Sequence, residues 1–132
     1  MNDIIYSIII PIKDEEENIQ QLYTEINSSM ERIDKRWECI WIDDGSRDNS
    51  LEILKKICKE DNRHKFISFK ENMGQSAALF AGFKRARGEI LLTMDGDGQN
   101  DPADFPKLLE VLKEKGVDFV TGYRKKQAGF FD

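Results

Sequence analysis

Short apolar runs alternate along this chain with segments whose apolar residues recur at helical spacing. Parallel strands that are covered by helices on both faces have this pattern, because each strand is then buried on both of its sides. The sequence therefore predicts an α/β fold with a mostly parallel open sheet and helices on both faces. At 132 residues, the chain is about the size of one domain with a real hydrophobic core.

The periodicity places the predicted elements along the chain. Five strands are expected, at Ile4–Ile12, Trp37–Asp43, Lys65–Phe69, Ile90–Met94 and Phe119–Gly122. The first helix is expected to open at an Asp14 cap with an acid three residues on. Apolar positions predict the inner faces of the first two helices, at Ile19, Leu22, Tyr23, Ile26 and Met30, then at Leu51, Leu54, Ile57 and Cys58. Two further helices are expected, at Ser76–Ala86 and from the Asp101–Pro102 cap to about Glu114.

Composition excludes several classes of protein. The chain has 20 basic and 25 acidic residues and a net charge of -5, which argues against nucleic-acid binding through a broad cationic surface. Its two cysteines and one histidine lack zinc-site spacing, so we expect buried, reduced thiols in a cytoplasmic protein. No run approaches the roughly 20 apolar residues of a membrane span.

Two carboxylates one residue apart follow the fourth predicted strand. In extended chain Asp95 and Asp97 project to the same side, while Gly96 and Gly98 let a ligand approach the backbone. Carboxylate oxygens suit Mg²⁺ or Mn²⁺, which usually keep coordination positions open for water and for nucleotide phosphates. The motif therefore indicates a reaction on a substrate that carries a diphosphate. The alternative is that these acids only shape a turn.

Three other acidic motifs compete for the same residues. A calcium-binding EF-hand would need glycine at its sixth position and an acid at its twelfth, where this chain has Asn100 and Pro106. A phosphotransferase with a nucleophilic aspartate would carry its acid pair after the first strand and continue to Thr, whereas here the pair Asp95 and Asp97 lies deep in the chain and continues to Gln99. A receiver-type signalling domain would also carry its acid pair after the first strand, whereas here the pair Asp43 and Asp44 follows the second strand.

Three polar clusters are predicted at one edge of the sheet. They are residues 11–15 after the first strand, 43–46 after the second and 95–99 after the fourth. Ligands of open parallel sheets bind beyond the carboxyl ends of the strands, where the strand order reverses. This convergence predicts a nucleotide cleft, although helix capping is an alternative role for Asp43 and Asp44.

Geometry suggests a role for each cluster. We expect Asp44 to accept the imino hydrogen of a uracil or guanine ring, with Asp43 supporting the turn. The backbone of Pro11 and the side chain of Glu15 would border the base and ribose. Asp97 and the amide oxygen of Gln99 would coordinate the metal, and Asp95 would face the ribose or a metal-bound water. The predicted nucleotide-binding residues are Pro11, Lys13, Glu15, Asp43, Asp44, Gly74, Asp95 and Gly96.

Several stretches together resemble a known family. They are residues 7–19 (SIIIPIKDEEENI), 42–50 (IDDGSRDNS), 72–82 (NMGQSAALFAG), 87–102 (RGEILLTMDGDGQNDP) and 120–125 (VTGYRK). The ordered set resembles the N-terminal, nucleotide-binding half of family 2 glycosyltransferases of the GT-A fold. Among these it is most similar to bacterial polyprenyl-phosphate glycosyltransferases and enzymes like dolichyl-phosphate mannose synthase.

The resemblance carries its own expectations. It implies a UDP- or GDP-sugar donor, Mg²⁺ or Mn²⁺ at the positions of Asp95, Asp97 and Gln99, and transfer to a lipid phosphate with inversion. Such enzymes act at the cytoplasmic face of the membrane. The family also continues well beyond this length, so residues 1–132 are expected to form one domain truncated at its C-terminus, without the acceptor-side catalytic residues. Its last strand would leave an edge through which two chains could pair.

The family pattern has two departures, and the function has one alternative. Ile12 and Lys13 replace the aromatic residue that the family usually has after the first-strand proline. Gly98 occupies a position where the family generally has leucine. A noncatalytic or degenerate nucleotide-binding module would keep the fold and the cleft without sugar transfer. Metal-dependent nucleotide binding without transfer would favour that alternative.

Overall fold

A computed structural model describes residues 3–96, 110 and 119–121. Strands and helices alternate through this part of the chain. The strands are β1 (Tyr6–Ile12), β2 (Trp37–Asp44), β3 (His64–Phe69), β4 (Ile90–Thr93) and β5 (Phe119–Thr121). The helices are α1 (Ile19–Glu31), α2 (Ser50–Glu60) and α3 (Gln75–Arg85).

The five strands form one sheet in the order β3-β2-β1-β4-β5, and every neighbouring pair is parallel. The chain moves outward from β1 to β3 and then returns to the other side of β1 with β4. The strand order therefore reverses between β1 and β4, which is where open parallel sheets bind ligands. The predicted fold class, a mostly parallel sheet with helices, is confirmed.

Helices cover both faces of this sheet because successive strand residues point to opposite sides. Ile8 and Ile10 of β1 pack with α1 and α2, whereas Ile9 packs with Ala78 of α3. The predicted inner face of α1 is confirmed: Ile19, Leu22, Ile26 and Met30 are buried, and Tyr23 is half-buried. In α2, Leu54 and Ile57 are buried, while Leu51 and Cys58 are only partly so. Both cysteines are free thiols.

Helix α3 lies unusually close to the sheet. A Cβ atom at Gly82 would overlap Cγ2 of Ile9 and lie 2.9 Å from Cδ1 of Ile42, so only glycine fits there. The expected small-residue helix thus approaches β1 and β2 closely. This packing fixes the N-terminus of α3 beside the carboxyl ends of these strands.

The first helix begins later than the sequence suggested. Asp14 does not cap it; α1 starts at Ile19, and its N-cap is Asn18. Asp14 instead has a positive φ of 54°, and its carboxylate accepts hydrogen bonds from the loop after β2. The helix predicted from Asp101 lies outside the described residues except for Glu110, which is helical. No helix in the described part of the chain is long and apolar enough to cross a membrane.

Candidate functional site

A cleft of about 210 Å³ opens at the carboxyl edge of the sheet, beside the reversal of strand order. It is bounded by the ends of β1, β2 and β4 and by the start of α3. Its lining residues are Pro11, Ile12, Lys13, Glu15, Asp44, Gln75, Asp95 and Gly96. Parallel strands bring these segments together because all of their carboxyl ends lie at the same edge.

Asp44 closes one side of the cleft and is 6% exposed. Its Oδ1 accepts a hydrogen bond from the backbone N–H of Met73 at 2.6 Å, and its Oδ2 accepts one from Gly74 at 3.1 Å. A carboxylate has about four acceptor sites, so these two bonds leave it able to accept another. Asp44 therefore holds the turn into α3 and still presents acceptor capacity to the cleft.

The turn after β2 packs against that same segment. Gly45 has a positive φ of 71°, and a Cβ atom there would lie 2.6 Å from the backbone nitrogen of Asn72. Asp43 is buried, and its Oδ1 accepts a long hydrogen bond of 3.4 Å from Ser46 N–H. Asp43 thus supports the turn, and neither acid caps α2, whose N-cap is Asn49.

Asp95 lies across the cleft, after β4, and is half-buried. The side-chain amide of Gln75 donates a hydrogen bond to its Oδ1 at 3.2 Å. The next residue, Gly96, is buried against β1, where a Cβ atom would overlap Cγ2 of Ile12. The close approach of Gly96 to β1 therefore sets how far Asp95 reaches into the cleft.

The loop after β1 is joined to the loop after β2 by reciprocal hydrogen bonds. The N–H groups of Arg47 and Asp48 donate to Oδ1 of Asp14 at 2.7 and 3.2 Å, and Asp14 N–H donates to Oγ of Ser46. Glu15 N–H donates to Oγ of Ser50 at 2.9 Å. These bonds hold the backbone of Lys13 and Glu15 at the cleft wall. The N–H of Arg47, followed by that of Asp48, lowers the pKa of Asp14 below its ordinary value.

The cleft edge is strongly acidic. Next to the cleft, a second hollow of about 270 Å³ is lined by Asn18 and five acids, Asp14, Glu15, Glu16, Glu17 and Asp48. Of the residues that line the main cleft, Lys13 is cationic, and it forms an ion pair with Asp14 at 3.3 Å. A diphosphate would meet an unfavourable field here unless a cation accompanied it.

The structure brings together six of the predicted nucleotide-binding residues in one cleft: Pro11, Lys13, Glu15, Asp44, Asp95 and Gly96. Asp43 and Gly74 do not line the cleft and instead form hydrogen bonds in the adjoining turns. The predicted metal ligands Asp97 and Gln99 lie outside the described residues. Within residues 3–96, 110 and 119–121, no group of three or more His, Cys, Asp or Glu side chains could hold a metal ion. The carboxylate of Asp95, at the end of β4, nevertheless has the donor chemistry that Mg²⁺ or Mn²⁺ prefers.

Sequence reasoning did not predict two lining residues, Ile12 and Gln75. Ile12 ends β1 and belongs to the predicted cluster of residues 11–15, where no binding role was predicted for it. Gln75 lies directly after Gly74, which was predicted, and an amide side chain at the start of a helix beside a cleft was the available signal.

Residues 7–130 match the family described as Glycosyl transferase family 2. The dodecaprenyl-phosphate galacturonate synthase of Rhizobium johnstonii is 37% identical over 122 residues, which are 92% of this chain and 36% of that protein. The undecaprenyl-phosphate 4-deoxy-4-formamido-L-arabinose transferase of Proteus mirabilis is 38% identical over 127 residues, 95% of this chain and 39% of that protein. The chain therefore spans less than two fifths of the length of these relatives.

Two solved structures have a similar fold. The S. aureus protein TarS, residues 1–349 in complex with UDP, superposes with a TM-score of 0.63 at 25% identity, over 84% of this chain and 32% of that one. The mannosyltransferase PcManGT of Pyrobaculum calidifontis, in complex with GDP-Man and Mn²⁺, gives 0.71 at 19% identity over 81% of this chain and 32% of that one. The parallel sheet, the cleft at its reversal and the match over residues 7–130 all agree: this chain belongs to glycosyl transferase family 2.

Proposed function

We propose that residues 1–132 form the donor-binding domain of a metal-dependent glycosyltransferase. The enzyme takes a sugar from a UDP- or GDP-sugar and transfers it, with inversion, to a polyprenyl phosphate. Asp44, Pro11 and Glu15 bind the nucleoside, and Asp95 faces the ribose or the cation. We expect these 132 residues to bind donor without transferring sugar by themselves, because they span less than two fifths of the length of the curated relatives.

One observation carries this proposal. The acids that end β2 and β4 face the same cleft as the loop after β1, at the reversal of strand order. A nucleoside diphosphate needs a hydrogen-bond acceptor for its base at one end and neutralisation of its charge at the other. Asp44 and Asp95 are on different walls of the cleft and match these two needs.

The chemistry demands little of the protein's own acids and bases. A phosphate acceptor is already ionised near neutral pH, so the enzyme mainly has to align it behind the anomeric carbon. Asp95, Asp97 and Gln99 would hold Mg²⁺ or Mn²⁺, which would neutralise charge on the departing nucleoside diphosphate. The acidic cleft edge, with Lys13 already paired to Asp14, favours a cation in that role.

The names of the relatives support the choice of acceptor. Both curated relatives are named for a polyprenyl phosphate, dodecaprenyl in one and undecaprenyl in the other. We also propose that the protein acts at the cytoplasmic face of the membrane. Pairing of two chains through the β5 edge also stays a proposal; β5 is the last strand in the described order.

Calorimetric titration tests donor binding directly. UDP, GDP and their sugar conjugates are titrated into the chain with and without Mn²⁺. We expect one nucleotide to bind in the micromolar to millimolar range and to require Mn²⁺ for its tightest binding. Asp97→Ala should weaken binding without lowering the melting temperature. Glu52→Gln is the matched control, because Glu52 is an exposed acid of α2 whose partner is Lys55.

The outcomes separate the two candidate functions. Absence of any nucleotide binding would overturn both the transferase and the binding-module proposals. If a full-length form binds nucleotide with Mn²⁺ but transfers no sugar when lipid phosphate is supplied, the noncatalytic module is the correct assignment. Sugar transfer to lipid phosphate by that form supports the proposal.

A further inference from the structure

The first residue of α3 connects the two walls of the cleft. Asp44, at the end of β2, accepts the N–H groups of Met73 and Gly74, which lead directly into Gln75. The amide of Gln75 in turn donates to Oδ1 of Asp95 at 3.2 Å, after β4. Strand β1 separates β2 from β4 in the sheet. The start of α3 is therefore a bridge of hydrogen bonds between the carboxylates on opposite walls.

The contact with Asp95 fixes the orientation of the Gln75 amide. An ionised carboxylate only accepts hydrogen bonds, so the amide nitrogen of Gln75 must face it. One oxygen of Asp95 is thereby held, and the rotation of its carboxylate is restricted. A ligand carboxylate that is already oriented loses less entropy when it meets a cation.

The side chain of Gln75 contributes little to the packing of α3. Its side chain is exposed, whereas α3 is anchored to the sheet by the buried residues Ala78 and Gly82. The turn before the helix is already held by Asp44. Loss of the Gln75 amide should therefore leave the fold intact and change only the cleft.

We propose that Gln75 is a positioning residue that couples nucleotide binding to divalent-cation binding. This inference rests on the proposed donor-binding function. A nucleotide that engages Asp44 steadies the turn into α3, and this turn presents the Gln75 amide to Asp95. The oriented Asp95 then binds the cation more tightly. Because linkage is reciprocal, the cation must raise nucleotide affinity by the same factor.

The test is a binding cycle on the 132-residue chain. The dissociation constant of UDP or GDP, whichever binds, is measured with and without Mn²⁺ for wild type, Gln75→Ala and Gln75→Asn. The asparagine side chain is one methylene shorter and cannot reach Asp95 at the same backbone position. Ser76→Ala is the matched control, since Ser76 is the exposed neighbour in α3 and is not among the described residues that line the cleft.

We expect the enhancement of nucleotide affinity by Mn²⁺ to fall about fivefold or more in both Gln75 variants, the low end of measured couplings. Nucleotide affinity without metal should fall less than the affinity measured with Mn²⁺, and the melting temperature should stay as in wild type. Electron paramagnetic resonance of free Mn²⁺ measures the affinity of the chain for Mn²⁺ with and without nucleotide. The enhancement of Mn²⁺ affinity by nucleotide should fall by the same factor in both Gln75 variants. Ser76→Ala should keep the full enhancement.

Two results would overturn the inference while leaving donor binding intact. One is an unchanged Mn²⁺ enhancement in Gln75→Ala. The other is an equal loss of affinity with and without Mn²⁺, which would make Gln75 a simple contact residue. If wild type binds no nucleotide, the proposed function fails and the coupling fails with it.

Discussion

The carboxylate of Asp14 accepts the backbone N–H of Arg47 at 2.7 Å, across 33 positions of sequence. Asp14 takes a left-handed φ of 54° to make this bond, a conformation in which Asp and Asn are over-represented among residues other than glycine. Its neighbours in sequence, Lys13 and Glu15, line the cleft. One exposed acid thus sets the position of two cleft residues by holding the loop after β2.

Removal of this carboxylate should loosen both loops. Asp14→Ala should increase amide hydrogen exchange at Arg47 and Asp48, because their N–H groups lose their acceptor. Nucleotide affinity should fall in the same variant, because Lys13 and Glu15 line the cleft. Asp14→Asn keeps an accepting oxygen and tolerates the positive φ, so its effect should be smaller.

Exchange rates from NMR and calorimetry on the same samples check this order, with Glu17→Gln as a control acid from the same segment. Unchanged exchange at Arg47 in Asp14→Ala would show that the loops are held by other contacts.

The contribution of the Asp14 carboxylate to stability should depend on pH, because its pKa is lowered in the folded protein. This contribution is present above the unfolded pKa of about 3.9 and is lost as the pH falls through the folded pKa.

The close approach of Gly96 to Ile12 leads to a second prediction, on the effect of a side chain at position 96. Gly96→Ala places a methyl group against Cγ2 of Ile12 and should cost about 1–3 kcal/mol of stability, or push Asp95 out of position and weaken nucleotide binding. Ile12→Leu removes the branched methyl with little change in volume. The double variant should recover much of the loss, so the two effects should not add.

Chemical denaturation of the two single variants and the double variant measures this coupling. If the free energies of unfolding add within error, Gly96 does not depend on the Ile12 methyl. Nucleotide titration of the same variants shows whether the position of Asp95 follows the packing of Gly96 on β1.

The strands were predictable to within two residues at either end because each contains a short, mostly apolar run that is followed by polar or glycine residues. The gathering of acids at one edge followed from the parallel direction of the strands. The start of α1 and the contact of Gln75 with Asp95 were not predictable, for the same reason. Asp14 is bonded to residues 33 and 34 positions away and Gln75 to one 20 positions away, and local propensity contains no information on such partners.

Glu38 is another residue whose partners come from distant segments. It is 1% exposed at the start of β2, where it accepts hydrogen bonds from the Ser7 hydroxyl, the Arg87 N–H and the Lys65 ammonium at 2.7 to 2.9 Å. Burial alone raises its pKa, but the bonds from Ser7, Lys65 and Arg87 outweigh burial and hold the pKa below the ordinary value. The acid thus joins three strands to the loop before β4.

Replacement of Glu38 should destabilise the fold without changing the cleft, which lies at the opposite end of β2. Glu38→Ala leaves the buried Ser7 hydroxyl and the partly buried N–H of Arg87 without their acceptor, which costs roughly 3 kcal/mol in total. Glu38→Gln retains an accepting oxygen and should cost less. Urea unfolding measures both, and nucleotide titration should give the wild-type dissociation constant for the folded protein. A weaker nucleotide affinity at full folding would contradict this separation.

The single histidine of the chain, His64, is buried, and its ring contacts Tyr23 of α1 and Trp37 and Trp41 of β2. The Trp41 indole N–H donates to its Nδ1 at 3.0 Å, so Nδ1 must accept. In the neutral ring, Nε2 therefore carries the proton and donates to Oδ1 of Asn27 at 2.9 Å. Burial lowers the pKa of His64 to about 4, against the attraction of Asp61. A proton on Nδ1 would also face the N–H of Trp41.

This histidine should make stability depend on pH in a range where carboxylates remain mostly ionised. Unfolded His64 takes up a proton near pH 6.5 and folded His64 only near pH 4, so the unfolded state binds more protons between these values and stability falls with acid. From pH 7 to pH 5 the free energy of unfolding should fall by about 2 kcal/mol. Urea unfolding of wild type should show this loss, and His64→Gln, although less stable at pH 7, should show little of it. The NMR resonance of the His64 Cε1 proton in folded wild type should not shift above pH 5; a midpoint near 6.5 would refute the neutral, doubly bonded ring.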